Sequence, residues 1–165
     1  MNKPDESVKL WKNLKTYSNM NPSALNSRIS LQDFLALLEE HHPFAKFLGI
    51  EVREIGFGCA TLALPPNPDF QRLGGIIAGP MLMGLADLAM YSAVVGATGN
   101  QEAVTSSLTM NFLRKSPSGV ILAHAKVLKT GRLCAGDVIL TAEGSTEVIA
   151  HSISTWSLPR QTSTR

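Results

Sequence analysis

Residues 73–100 read LGGIIAGPMLMGLADLAMYSAVVGATGN, and this stretch decides how the rest of the chain is arranged. Gly79 stands at the N-cap position of a helix, and Pro80 at its first helical position, where a missing N–H costs nothing. From there to about Gly96 the run is apolar on nearly every face, so other elements must wrap it. Asp87 is the only formally charged residue in the stretch. A lone carboxylate in apolar surroundings is costly unless it is neutralised, paired or put to use, which makes Asp87 the first candidate for function.

The wrapping material follows directly. AVTSSLTMNFLRK, VILAHAKVLK, LCAGDVILTA and VIAHSISTWSL are four β-rich segments separated by SPSG, TGR and EGST turns. In Val104 to Phe112 the even positions Val104, Leu108, Met110 and Phe112 are apolar, while Thr105, Ser107, Thr109 and Asn111 are polar. Strict alternation predicts one core face and one wet or paired face, with Ser106 on the apolar-facing side.

Upstream, Ile50 to Leu64 reads as a hairpin turning at Gly56 and Gly58, and PPNPDFQRLGG as an irregular Pro-rich loop. Ser30 is a good N-cap with Asp33 three residues on. Leu31, Phe34, Leu35, Leu37 and Leu38 recur at helical spacing until His41, His42 and Pro43 end the helix, and PFAKFLG forms a second short turn. His41 and His42 read as a C-terminal pair favoured by the helix dipole. Further upstream, Val8, Leu10, Trp11 and Leu14 form a short amphipathic pattern ahead of the linker-like SNMNPSALNS, and PRQTSTR reads as a frayed tail. The order is helix, strand, strand, buried helix, four strands: an α+β layout with one sheet curled around one helix. It divides into a helical extension over 1–42, one domain over 43–160 and a tail over 161–165.

Composition supports this. A chain of 165 residues with 44% hydrophobic and 17% charged side chains suits a single soluble globular domain. The net charge of +2 comes from 15 basic and 13 acidic residues with no Lys/Arg run, so neither nucleic acid nor a membrane surface is an expected partner. Cys59 and Cys134 read as small core residues in a reducing compartment. The N-terminal MNKPDESVKLWKNLK lacks a signal-peptide apolar region, and Gly79, Pro80, Gly84 and Asp87 interrupt the longest apolar run, so a cytoplasmic location is expected. There is no G-x-S-x-G elbow, and His124 and His151 have no Cys, Asp or Glu at ligand spacing, so no metal is expected. The Met81, Leu82, Met83, Leu85, Leu88, Met90 series reads as core or as an acyl tunnel.

RLGGIIAGPMLMGLAD and VTSSLTMNFLRKSP, followed by KVLKTGR and a final AHSISTW strand, resemble the hotdog-fold acyl-CoA thioesterases of the PaaI-like group over roughly residues 44–158. The resemblance implies a curved antiparallel sheet around the buried helix. It also implies hydrolysis of an acyl-CoA to free acid and coenzyme A, with no cofactor beyond that substrate. Position by position, Asp87 matches the carboxylate that activates a water or attacks the thioester carbonyl, and Gly79 the residue whose N–H forms the oxyanion hole. An N–H at the start of a buried helix, backed by the dipole, independently suits a developing oxyanion. Thr105 falls where the family places a Ser or Thr that helps hold the water, and Ser106 is its rival. Arg72, Arg114, Lys115, Lys129 and Arg132 are the cations available for the nucleotide phosphates of coenzyme A. The family's sites form between subunits, which implies a homodimer or a dimer-of-dimers tetramer. The family pattern carries a His where this chain has Ala78, a second Gly where it has Pro80, and an Asn where it has Arg72. The alternative reading is therefore a non-catalytic acyl-CoA or lipid-binding module on the same scaffold.

Overall fold

The computed structural model describes residues 26–159. The amphipathic pattern over Val8–Leu14, most of SNMNPSALNS and residues 160–165 lie outside the described residues. Helix α1 spans Leu31–His41, with the Ser30 hydroxyl accepting from the Asp33 N–H at 3.0 Å as the cap motif predicts. The PFAKFLG segment is a second helix, α2, over Pro43–Leu48, and His42 both ends α1 and caps α2. Strands β1 (Glu51–Gly56) and β2 (Cys59–Leu64) form the expected hairpin. The Pro-rich segment after them is more ordered than a loop. It holds a single 3-10 turn at Pro68–Phe70 and a two-stranded ribbon of β3 (Gln71–Arg72) and β4 (Ile76–Ile77).

The long helix, α3, spans Gly79–Thr98, with Ala78 as its N-cap. The cap is therefore one residue earlier than expected, leaving Gly79 as the first helical residue and Pro80 as the second. The helix also runs two residues past Gly96, until Gly99 takes the left-handed conformation (φ 71°) and its N–H closes on the Val95 carbonyl at 2.7 Å. By length and composition α3 could cross a membrane, but 72% of its apolar window is buried inside the protein, where it forms the core. Leu82, Leu85, Leu88 and Met90 are buried along it, each stabilising the fold by about 1.5–3 kcal/mol.

Four strands complete the sheet: β5 (Val104–Phe112), β6 (Ile121–Lys129), β7 (Leu133–Ala142) and β8 (Val148–Ser157). The six-stranded sheet runs β1-β2-β6-β7-β8-β5, antiparallel throughout, and curves around α3. Alternate residues of β7 and β8 (Cys134, Val138, Leu140, Ala150 and Trp156) are buried against the helix. Cys59 and Cys134 are both free thiols.

Strand β5 lies at the sheet edge and departs from simple alternation. Thr105 pairs with Trp156, but Ser107 pairs with Thr155, so Ser106 is an extra residue in a β-bulge. The bulge shifts the parity of the strand. Thr105 stands opposite inward-facing Trp156, and beyond the bulge Leu108, Met110 and Phe112 stand opposite inward-facing Ser154, Ser152 and Ala150. Val104 points away and is 54% exposed, and Ser106 is exposed at the bulge instead of lying on an apolar face.

Candidate active site

Asp87 sits two turns into α3 and is half-buried. The bulge turns Thr105 toward it, and the Thr105 hydroxyl donates to the Asp87 carboxylate at 2.7 Å. Burial pushes the Asp87 carboxyl above its ordinary value, while the Thr105 hydrogen bond and the charge of His42 draw it partly back. The result is a carboxylate that is more basic than a surface aspartate yet held in one orientation.

His42 was missed as a site residue, because its sequence context shows only a helix end. Its ring packs on Tyr91 with centroids 4.7 Å apart, and Tyr91 lies one turn beyond Asp87 on α3. Burial lowers the imidazole below its ordinary value, His41 adds to the lowering, and Asp87 opposes it. Burial of the ring thus opposes the charge that the helix dipole favours at this end of α1.

Gly79 occupies a different part of the molecule. Its N–H has no hydrogen-bond partner among the described residues, since Ala78 N–H donates to Phe70 O and Met81 N–H to Ala78 O. Ala78 has no side chain to cap the helix, and Pro80 has no N–H, so the free Gly79 donor and the helix dipole are directed at the same point. The Phe112 ring covers the glycine, and a Cβ there would stand 3.1 Å from Phe112 Cζ. An open cleft of 380 Å³ begins at this point, lined by Gly79 and Phe112 and by Arg72, Arg114 and Lys115. Arg114 is anchored by donating to the Val148 carbonyl at 2.7 Å.

The structure therefore brings Arg72, Arg114 and Lys115 to one cleft with Gly79. Arg132 precedes β7 at the opposite end of the sheet, where Leu133 pairs with Ser157 and Ser157 with Val104, and Lys129 closes β6 across the same turn. Ser106 makes no hydrogen bond to Asp87, and Thr105 holds that place. Gly79 and Asp87 are eight residues apart on one helix, which at ~1.5 Å per residue separates them by about 12 Å along its axis. One chain thus carries two separate clusters on α3, one where the helix N-terminus meets Arg72, Arg114 and Lys115 and one bearing the Asp87 carboxylate.

Comparison with known proteins agrees with this architecture. The family model described as the thioesterase superfamily matches residues 74–135, the span from the ribbon through Asp87 and Thr105 into β7. A candidate thioesterase from Silicibacter sp. TM1040 is 31% identical, with the match covering 83% of this chain and 96% of that one at a TM-score of 0.74. The chain belongs to the thioesterase superfamily. A candidate esterase of Saccharolobus solfataricus is 27% identical over 134 residues, 81% of this chain and 89% of that protein. The PaaI protein from the phenylacetic acid degradation operon of E. coli shares the fold at 23% identity and a TM-score of 0.69, over 76% of this chain and 90% of that one. The curved antiparallel sheet around α3 is the hotdog fold of this thioesterase superfamily.

Proposed function

We propose that the protein is an acyl-CoA thioesterase whose active site is completed by a second copy of the chain. The observation that carries this reading is the half-buried Asp87 carboxylate, hydrogen-bonded by Thr105 at 2.7 Å on an otherwise apolar helix of a thioesterase-superfamily fold. In the reaction Asp87 removes a proton from water, and the hydroxide attacks the thioester carbonyl; in the variant the carboxylate itself attacks, coenzyme A leaves, and water then hydrolyses the mixed anhydride on Asp87. The Gly79 N–H receives the oxyanion, a contribution typically worth about 2.7–4 kcal/mol for one such donor. The C–S bond then breaks, coenzyme A leaves as a thiolate that takes up a proton, and the acid is released. Arg72, Arg114 and Lys115 grip the nucleotide phosphates at the cleft.

The second copy is required by the 12 Å separation, and β5 supplies the means of docking it. Thr105 bonds Asp87 and Phe112 covers Gly79. Antiparallel pairing of two β5 edges about a two-fold axis near Leu108 and Thr109 puts Thr105 of one copy opposite Phe112 of the other, and hence Asp87 opposite Gly79 of the partner subunit. The test is free-thiol release from a panel of acyl-CoAs by the wild-type chain and by Asp87→Asn. The expected result is release by the wild type that falls at least ~100-fold in the folded variant. Binding of acyl-CoAs without thiol release in the wild type would instead establish the binding-module reading, which Ala78 favours.

A further inference from the structure

Beside the Asp87 half-site runs an exposed aromatic strip that neither the carboxylate nor the phosphate-binding rim uses. Phe44 of α2 lies directly on the backbone of α3. A Cβ at Gly84 would stand 2.7 Å from Phe44 Cε1, so the glycine is what admits the ring. Phe44 stacks with Phe47 (centroids 6.2 Å apart, planes 21° apart), and Phe47 meets Phe70 at 5.8 Å. Phe70 is buried and anchors the far end, yet in the single chain Phe44 is 52% and Phe47 65% exposed. Contiguous exposed apolar side chains of this kind mark a surface built to be covered.

The position of the strip identifies its occupant. Gly84 and Met83 precede Asp87 by three and four residues, so both share its face of α3, about 4.5–6 Å away along the axis. A thioester carbonyl in reach of a water on Asp87 must lie within ~3–3.5 Å of that water. An acyl chain that runs from that carbonyl toward the N-terminus of α3 meets Phe44 at Gly84 first and Phe47 next. We propose that Phe44 and Phe47 form the acyl-binding wall, Gly84 providing its seat, so that the site selects apolar acyl groups long enough to reach the second ring over acetyl. This inference rests on the thioesterase reading, which supplies the reacting carbonyl at Asp87.

The experiment uses the full-length chain and compares kcat/KM for acetyl-, butanoyl-, hexanoyl- and octanoyl-CoA in the wild type, Phe44→Ala, Phe47→Ala and Gly84→Ala, with light scattering on each. Phe47→Ala, at a mostly exposed ring, lowers the octanoyl-to-butanoyl ratio about tenfold. Phe44→Ala lowers the butanoyl-to-acetyl ratio as well, and Gly84→Ala, whose new methyl group drives Phe44 off the helix, behaves like Phe44→Ala. Ratios that do not move in Phe44→Ala and Phe47→Ala, or a change in oligomer size in Phe47→Ala that marks the strip as a subunit contact, overturn the proposal. A separate arm measures octanoyl-CoA and acetyl-CoA binding to Asp87→Asn with and without Phe47→Ala. If the wild type hydrolyses nothing but Phe47→Ala still lowers the octanoyl preference in binding about tenfold, the catalytic reading fails and the acyl wall stands.

Discussion

At the scale of single residues, the site is governed by how Asp87 is held. Its carboxyl value is raised by burial, so the folded chain binds that proton more tightly than the unfolded chain does. The sign follows: the associated stability is fully present below the unfolded carboxylate value and is lost as pH rises through the folded one. At pH 7 the ionised side chain is a net cost to the fold. Asp87→Asn is therefore expected to raise the thermal midpoint while it abolishes turnover, each ~1 kcal/mol of relieved desolvation moving a chain of this size by about 2–4 °C. Scanning calorimetry beside the thiol-release assay checks this, and a lower midpoint would identify Asp87 as a structural group. Thr105 draws the Asp87 value down through its hydrogen bond. Thr105→Val should thus move the acid limb of the kcat/KM profile to higher pH, and Thr105→Ser should leave it in place. His42 acts in the same direction through its charge, so His42→Gln is expected to shift that limb upward too. A pH profile unmoved by both changes would count against Asp87 as the base.

At the scale of elements, what was legible in the sequence was whatever periodicity and turn residues record. The apolar run of α3, the hairpin at Gly56 and Gly58, the Ser30 cap and the four final strands all stand where pattern put them. The departures have local causes. Neither Ala78 nor Gly79 has a side chain that could mark the cap, so the helix start was ambiguous by one residue. The bulge at Ser106 is a matter of how many residues each strand spends between hydrogen bonds, and no residue type announces it; Ser-Ser is as compatible with regular pairing. Yet that bulge decides which hydroxyl meets Asp87, because uninterrupted alternation would have set Thr105 and Leu108 on opposite faces. His42 was illegible for a different reason, since its partners Tyr91 and Asp87 lie on another helix. The same strand carries an element-scale prediction. Thr109 is exposed, pairs with outward-facing Ile153 and lies next to the proposed two-fold axis. Thr109→Lys would set two like charges opposite each other across paired edges, a destabilising arrangement. The expected outcome is a folded chain with an unchanged far-ultraviolet spectrum that elutes as a monomer and loses at least ~10-fold of its thioesterase activity at micromolar concentration. A dimer of full activity would remove β5 pairing from the mechanism.

At the scale of the whole molecule, the decisive quantity is the eight-residue interval between Gly79 and Asp87. A helix cannot fold back on itself, so the ~12 Å it interposes keeps the proposed oxyanion donor and the proposed base of one chain from acting on one carbonyl. The cleft with Arg72, Arg114 and Lys115 lies at the Gly79 end, and the Thr105 hydroxyl at the other. A site assembled from both ends must take each end from a different copy, and this makes a complementation experiment diagnostic. Gly79→Pro removes the donor, and the extended Ala78 (φ −66°, ψ 139°) already has the conformation required before a proline; because a Cβ at 79 stands 3.1 Å from Phe112 Cζ and residue 79 precedes Pro80, the far-ultraviolet spectrum and elution volume of this variant must match the wild type. Asp87→Asn removes the base. Each variant alone should be inactive, because every site in it lacks one half. When the two are co-expressed, a mixed dimer has one site with both defects and one with none, joining Asp87 from the Gly79→Pro copy to Gly79 from the Asp87→Asn copy. With random pairing, half of the dimers are mixed and each carries one working site of two, so about a quarter of wild-type activity should return. Independent sites within each chain would return none, since no single chain would then hold both an intact donor and an intact base.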